Sequence, residues 1–83
     1  MSTEQHVLSI LDQVLSLGGR TSGYTRDTAL LGAVPELDSM AVVSLITGLE
    51  EQFGFVVQDD EIEGATFATV GALVDFVDDK LKS

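Results

Sequence analysis

The chain has no cysteine, a single histidine, one proline and only four basic residues among its 83. Without cysteine it has no disulfide, no thiolate metal ligand and no thiol nucleophile of its own. The lone histidine, His6, falls off the apolar stripe of its helix and reads as a solvated residue, not a catalytic base. Four Lys and Arg stand against 14 Asp and Glu, a formal net charge of -10. Nucleic acid and anionic membrane surfaces need clustered cations, so both are excluded as partners. No apolar run is long enough to cross a bilayer, and no charged segment followed by an apolar stretch marks a leader. A cytoplasmic location without membrane insertion is the expectation.

What remains is a small acidic chain with 45% hydrophobic residues, too apolar to be disordered. Its length supports one domain spanning residues 1–83 around one core, expected as a monomer. The acidic surface favours partners with basic patches, through steering that weakens as salt rises.

Hydrophobic periodicity predicts helices throughout. The first runs from about Thr3, a candidate N-cap, to Leu17, with Val7, Ile10, Leu11 and Val14 on one stripe; Gly18-Gly19 ends it. A long connection over residues 18–37 should be anchored by Leu30, Leu31 and Val34, and Pro35 helps mark its end. The second helix begins at Asp38 or Ser39 and reaches Phe53, with Gly54 as C-cap. Val42, Ile46, Leu49 and Phe53 form its stripe, and Met40, Val43 and Leu45 widen it, which predicts a central helix. Phe55, Val56 and Val57 have no strand to pair with and read as an apolar loop. Asp59 to Glu63 reads as a short acidic helical turn closed by Gly64. Thr69 caps a last helix carrying Val70, Leu73, Val74, Val77 and Leu81, with Lys80 and Lys82 at its cation-favouring end. The fold class is all-α.

Ser39 is the most specific chemical handle. It opens a helix, where backbone N–H groups are unpaired and the dipole is positive, so a phosphate bonded to its oxygen would be well placed. A serine beside Asp38 alone lacks the base and oxyanion hole of a hydrolase, so the chain is not expected to be an enzyme. Asp59, Glu61, Glu63 and Gly64 imitate the start of a calcium loop, but the final bidentate position falls on Val70, which has no side-chain oxygen. Glu50 and Glu51, with Asp59, Asp60, Glu61 and Glu63, form an acidic face; for any one of them, solubilising charge is the simpler reading. Phe53, Phe55, Phe67 and Phe76 are packing residues.

Leu37-Asp38-Ser39-Met40, followed by Val43, Leu45, Leu49, Glu50, Glu51 and Phe53, resembles the attachment motif and second helix of acyl carrier proteins. The similarity extends over most of the chain, including Thr69-Val70-Gly71-Ala72-Leu73 at the last helix. The resemblance implies a four-helix bundle, three main helices plus one short, with a long loop between helices 1 and 2. It implies that Ser39, with Asp38 as motif neighbour, receives 4′-phosphopantetheine from coenzyme A through a phosphopantetheinyl transferase. The arm's thiol then carries acyl thioesters in fatty-acid, polyketide or related specialised biosynthesis. Implied partners are acyl-activating, acyltransferase or synthase enzymes, meeting Met40, Val43, Glu50, Glu51 and Ile62. An acyl chain is expected to shelter between the second and third helices, beside Met40, Leu45, Ile46 and Ile62.

The chain departs from fatty-acid carriers at Met40, where leucine is commoner, and at Ala41 and Ser44, which are often acidic. Gly48 also costs the second helix about 1 kcal/mol relative to alanine. Two other readings stay open: an aminoacyl carrier (peptidyl or D-alanyl), and a small acidic helical adaptor without a prosthetic group.

Overall fold

Three of the periodic segments form α-helices: α1 (Thr3–Leu15), α2 (Ser39–Phe53) and α3 (Val70–Lys82). They come from a computed structural model that describes residues 3–82, apart from the Asp59 side chain. Val7, Ile10, Leu11 and Leu15 of α1 are buried against Leu45, Ile46 and Leu49 of α2 and Val70, Leu73, Val74 and Val77 of α3 in one hydrophobic cluster. The element packed against both other helices is α1, whereas the sequence pattern pointed to α2. On α2 the buried stripe is narrower than the run of apolar residues, and Met40 and Val43 face outward.

Gly48 accounts for the closeness of α1 and α2. A Cβ there would sit 3.3 Å from Ile10 Cγ2 and 3.5 Å from Val14 Cγ2, so the residue that weakens the isolated helix admits its neighbour.

Thr3 lies inside α1 and does not cap it from outside. The helix stops at Leu15, two residues before the expected end. Ser16 turns left-handed at φ 54°, and the Leu17 N–H donates to the Asp12 carbonyl at 3.0 Å. This is a Schellman-type closure, with serine in the position that glycine usually fills and Leu17 buried behind it.

The connection from α1 to α2 contains a 3₁₀ turn at Arg20–Gly23 and then runs antiparallel to the segment entering α3. Leu30 N–H donates to Ala68 O at 2.9 Å, Leu31 N–H to Phe67 O at 3.0 Å, and Val70 N–H to Thr28 O at 3.0 Å. Leu30 is buried where this pairing ends, whereas Leu31 opens the turn that the Ala33 and Val34 N–H groups close on the Leu30 carbonyl, and it is exposed. Leu31 is therefore not one of the buried anchors; Leu30 and Val34 are.

The short fourth helix is not one turn over Asp59–Glu63. It is two 3₁₀ turns, Asp59–Glu61 and Gly64–Phe67, and Gly64 opens the second instead of closing the first. Glu50 Oε2 accepts the Val57 N–H at 2.8 Å, and the Lys80 ammonium donates to both Glu61 oxygens at 2.9 Å. Those two contacts tie the 57–61 stretch to α2 and α3. Thr69 Oγ1 accepts the Ala72 N–H at 3.1 Å and caps α3.

His6 is half-buried, with its ring edge on Phe53 at 5.7 Å, and Phe53 stacks on Phe55 at 5.9 Å. That corrects its reading as a solvated residue. No helix among the described residues is long and apolar enough to cross a membrane.

Candidate functional site

Leu37 anchors the approach to α2. It is buried, and its N–H donates to the Val34 carbonyl at 3.0 Å. Asp38 then takes an extended conformation, φ -103° and ψ -175°, so its side chain can fold over the start of the helix. Its Oδ1 accepts the Ala41 N–H at 2.8 Å, and its carbonyl accepts the Val42 N–H at 2.9 Å. This is N-cap geometry, and it gives Asp38 a physical task beyond being the serine's neighbour.

Ser39 is consequently the first helical residue, and it is exposed. With Asp38 occupying the Ala41 amide, the Ser39 and Met40 N–H groups have no acceptor among the described residues. A hydroxyl reachable from solvent, two free amide donors and the positive end of a 15-residue helix converge there. The donor set fits a phosphodiester formed on the Ser39 oxygen.

An ion pair that the sequence does not announce, Arg20 with Glu36, braces the site. Arg20 also donates through Nε to the Leu17 carbonyl at 3.1 Å. The ion pair links the start of the long connection to the residue two places before the cap. The Arg20 hydrogen bond, followed by a backbone hydrogen bond, holds the Glu36 carboxyl below its ordinary range. Their separation of sixteen residues follows no helical or strand period, so no local pattern marks the pair.

The residues expected at a partner surface divide. Met40 is 77% exposed, Val43 61% and Ile62 38%, and Glu51 is exposed too. Glu50 is half-buried and committed to the Val57 amide, so its carboxylate serves the fold. Of the residues expected to line an acyl shelter, Leu45 and Ile46 are buried, whereas Met40 and Ile62 face outward. The exposed face of α2, comprising Ser39, Met40, Val43, Ser44, Thr47, Glu51 and Gln52, carries one carboxylate. A groove between α1 and the Arg20–Gly23 turn, lined by Leu8, Asp12, Thr21 and Tyr24, does not include Ser39.

The phosphopantetheine attachment site family matches residues 36–77, a stretch that opens just before Ser39 and ends within α3. The fold is also similar to the solution NMR structure of a holo acyl carrier protein from Nitrosomonas europaea. The two are 52% identical over 100% of both chains, with a TM-score of 0.92. The chain belongs to the acyl carrier proteins, which hold acyl groups on a covalently attached 4′-phosphopantetheine and work with a transferase and biosynthetic enzymes.

Proposed function

We propose that Ser39 is the attachment residue and that the chain delivers acyl groups in a specialised cytoplasmic pathway, of the polyketide type, without being catalytic itself. The observation that carries this reading is the exposed Ser39 hydroxyl in the first turn of α2, with Asp38 closing the cap behind it. Asp38 holds the first turn in register, Ser39 presents its oxygen to the transferase, and the Ser39 and Met40 amides face the phosphate. The bound arm supplies a thiol, which a chain without cysteine cannot provide. His6 lies against Phe53 at the other end of α2, about 20 Å from Ser39 by helical rise, so the base that activates the serine comes from the transferase.

What supports the specialised pathway is the sparse charge on α2. With Glu51 as its one exposed carboxylate, the helix offers basic partners less than a densely acidic one would. Met40, Val43 and Ile62 supply the apolar contact, and Glu51 the charged one. Offering the loaded protein to acyl-activating and to aminoacyl-activating enzymes tests the cargo. The expected result is a mass gain of an acyl group. Gain of an amino acid alone would establish a peptidyl or D-alanyl carrier instead, and failure to accept any arm would favour the adaptor reading.

A further inference from the structure

Met40 is the most exposed large apolar side chain among the described residues, at 77%, and it directly follows Ser39 in the first turn of α2. Val43, one turn on and 61% exposed, shares its face. The thioether thus contributes little to the core and much to the apolar surface beside the serine. The only other methionine is Met1, and no cysteine competes for an oxidant.

We infer that Met40 is an oxidation site, and that its conversion to the sulfoxide by a peroxide slows the use of Ser39. The inference rests on Ser39 being the attachment residue. In the step, the Met40 sulfur donates a lone pair to one peroxide oxygen. The S–O bond forms as the O–O bond of hydrogen peroxide breaks, and the departing hydroxide takes the proton from the transferred oxygen and leaves as water. Sulfur loses two electrons and the peroxide gains them. The product places a polar, chiral S–O group where a partner would bury a flexible apolar side chain, and a methionine sulfoxide reductase can reverse it. Because Met40 lies outside the core, oxidation leaves the helices intact and acts on recognition alone.

The test treats full-length apo-protein with hydrogen peroxide, locates the added oxygen by peptide mass, and follows transferase loading from coenzyme A. Each protein is compared with its own untreated sample, for the native chain and for Met40→Leu. Peroxide should slow loading of the native chain roughly tenfold, the effect of losing one well-packed apolar anchor. Reductase treatment should restore the rate, the thermal midpoint should not move, and Met40→Leu should show no peroxide effect. An equal slowing in Met40→Leu, an oxidised Met40 with undiminished loading, a Met40 that resists peroxide, or a collapsed midpoint would each overturn the inference. If the untreated native chain takes up no arm, the Ser39 assignment has failed, and this inference falls with it.

Discussion

Asp38 and Ala41 bracket the first turn of α2: the Ala41 N–H donates to Asp38 Oδ1 at 2.8 Å, and Ser39 lies between them on the outer face. The cap both satisfies an orphan donor and fixes the direction in which the helix leaves the loop. Replacing Asp38 by alanine should therefore lower stability by about 1 kcal/mol in urea unfolding, and asparagine should recover most of it. Transferase loading should fall with Asp38→Ala more than this stability loss explains, because the serine loses its fixed register.

Glu50 and Glu51 are neighbours with different work. Glu50→Ala removes the acceptor of the Val57 N–H and should cost about 1–2 kcal/mol, with faster amide exchange at Val57. Glu51→Ala should leave the unfolding curve within about 0.5 kcal/mol of the native one. It should instead weaken partner affinity at low salt, an effect that fades as salt rises. Affinity and urea curves measured on both variants separate the two roles.

Two buried or half-buried helical glycines should respond differently to alanine. At Gly71 a Cβ would come within 3.0 Å of the Arg26 carbonyl, whose oxygen accepts the Gly71 N–H at 2.9 Å. Backbone cannot yield cheaply there, so Gly71→Ala should destabilise the fold and loosen residues 26–31 in hydrogen exchange. At Gly48 the neighbours are side-chain methyls, and the gain in helix propensity, about 1 kcal/mol, opposes the crowding. Gly48→Ala should stay near neutral, while Gly48→Leu should cost about 1–3 kcal/mol or more through overpacking.

The Lys80–Glu61 contact gives a defined acid sensitivity. The Gln58 N–H, and then Lys80, hold the Glu61 carboxyl below its ordinary value of 4.5. A carboxyl depressed in the folded state stabilises above its unfolded value and loses that contribution as pH falls through the folded one. The difference in stability between the native chain and Glu61→Gln should therefore be full at neutral pH and shrink below pH 4.5. Thermal midpoints of the pair at several pH values read it directly.

The helices and their termini are largely legible in the sequence because local chemistry decides them. Gly54 ends α2 with φ 76°, Thr69 caps α3, and the Asp38–Ser39 boundary lies where the apolar period begins. What the sequence hid depends on distant partners. Leu31 is exposed in a turn that opens where its segment pairs with residues 67–70, a pairing absent from local periodicity. Ser16, a residue that rarely turns left-handed, closes α1 before the glycines that looked like its stop. His6 gains its place from Phe53, and Glu50 from Val57, each far along the chain or around a turn. At the site, Ser39 stands out through its motif, while the Arg20–Glu36 brace has no such signature.

Intact mass before and after incubation with coenzyme A, magnesium and a broad-specificity phosphopantetheinyl transferase tests the Ser39 assignment most directly. The native chain should gain one phosphopantetheinyl group and Ser39→Ala, folded by circular dichroism, should gain none. A gain that persists in Ser39→Ala, or a native chain whose mass does not change, would contradict the assignment.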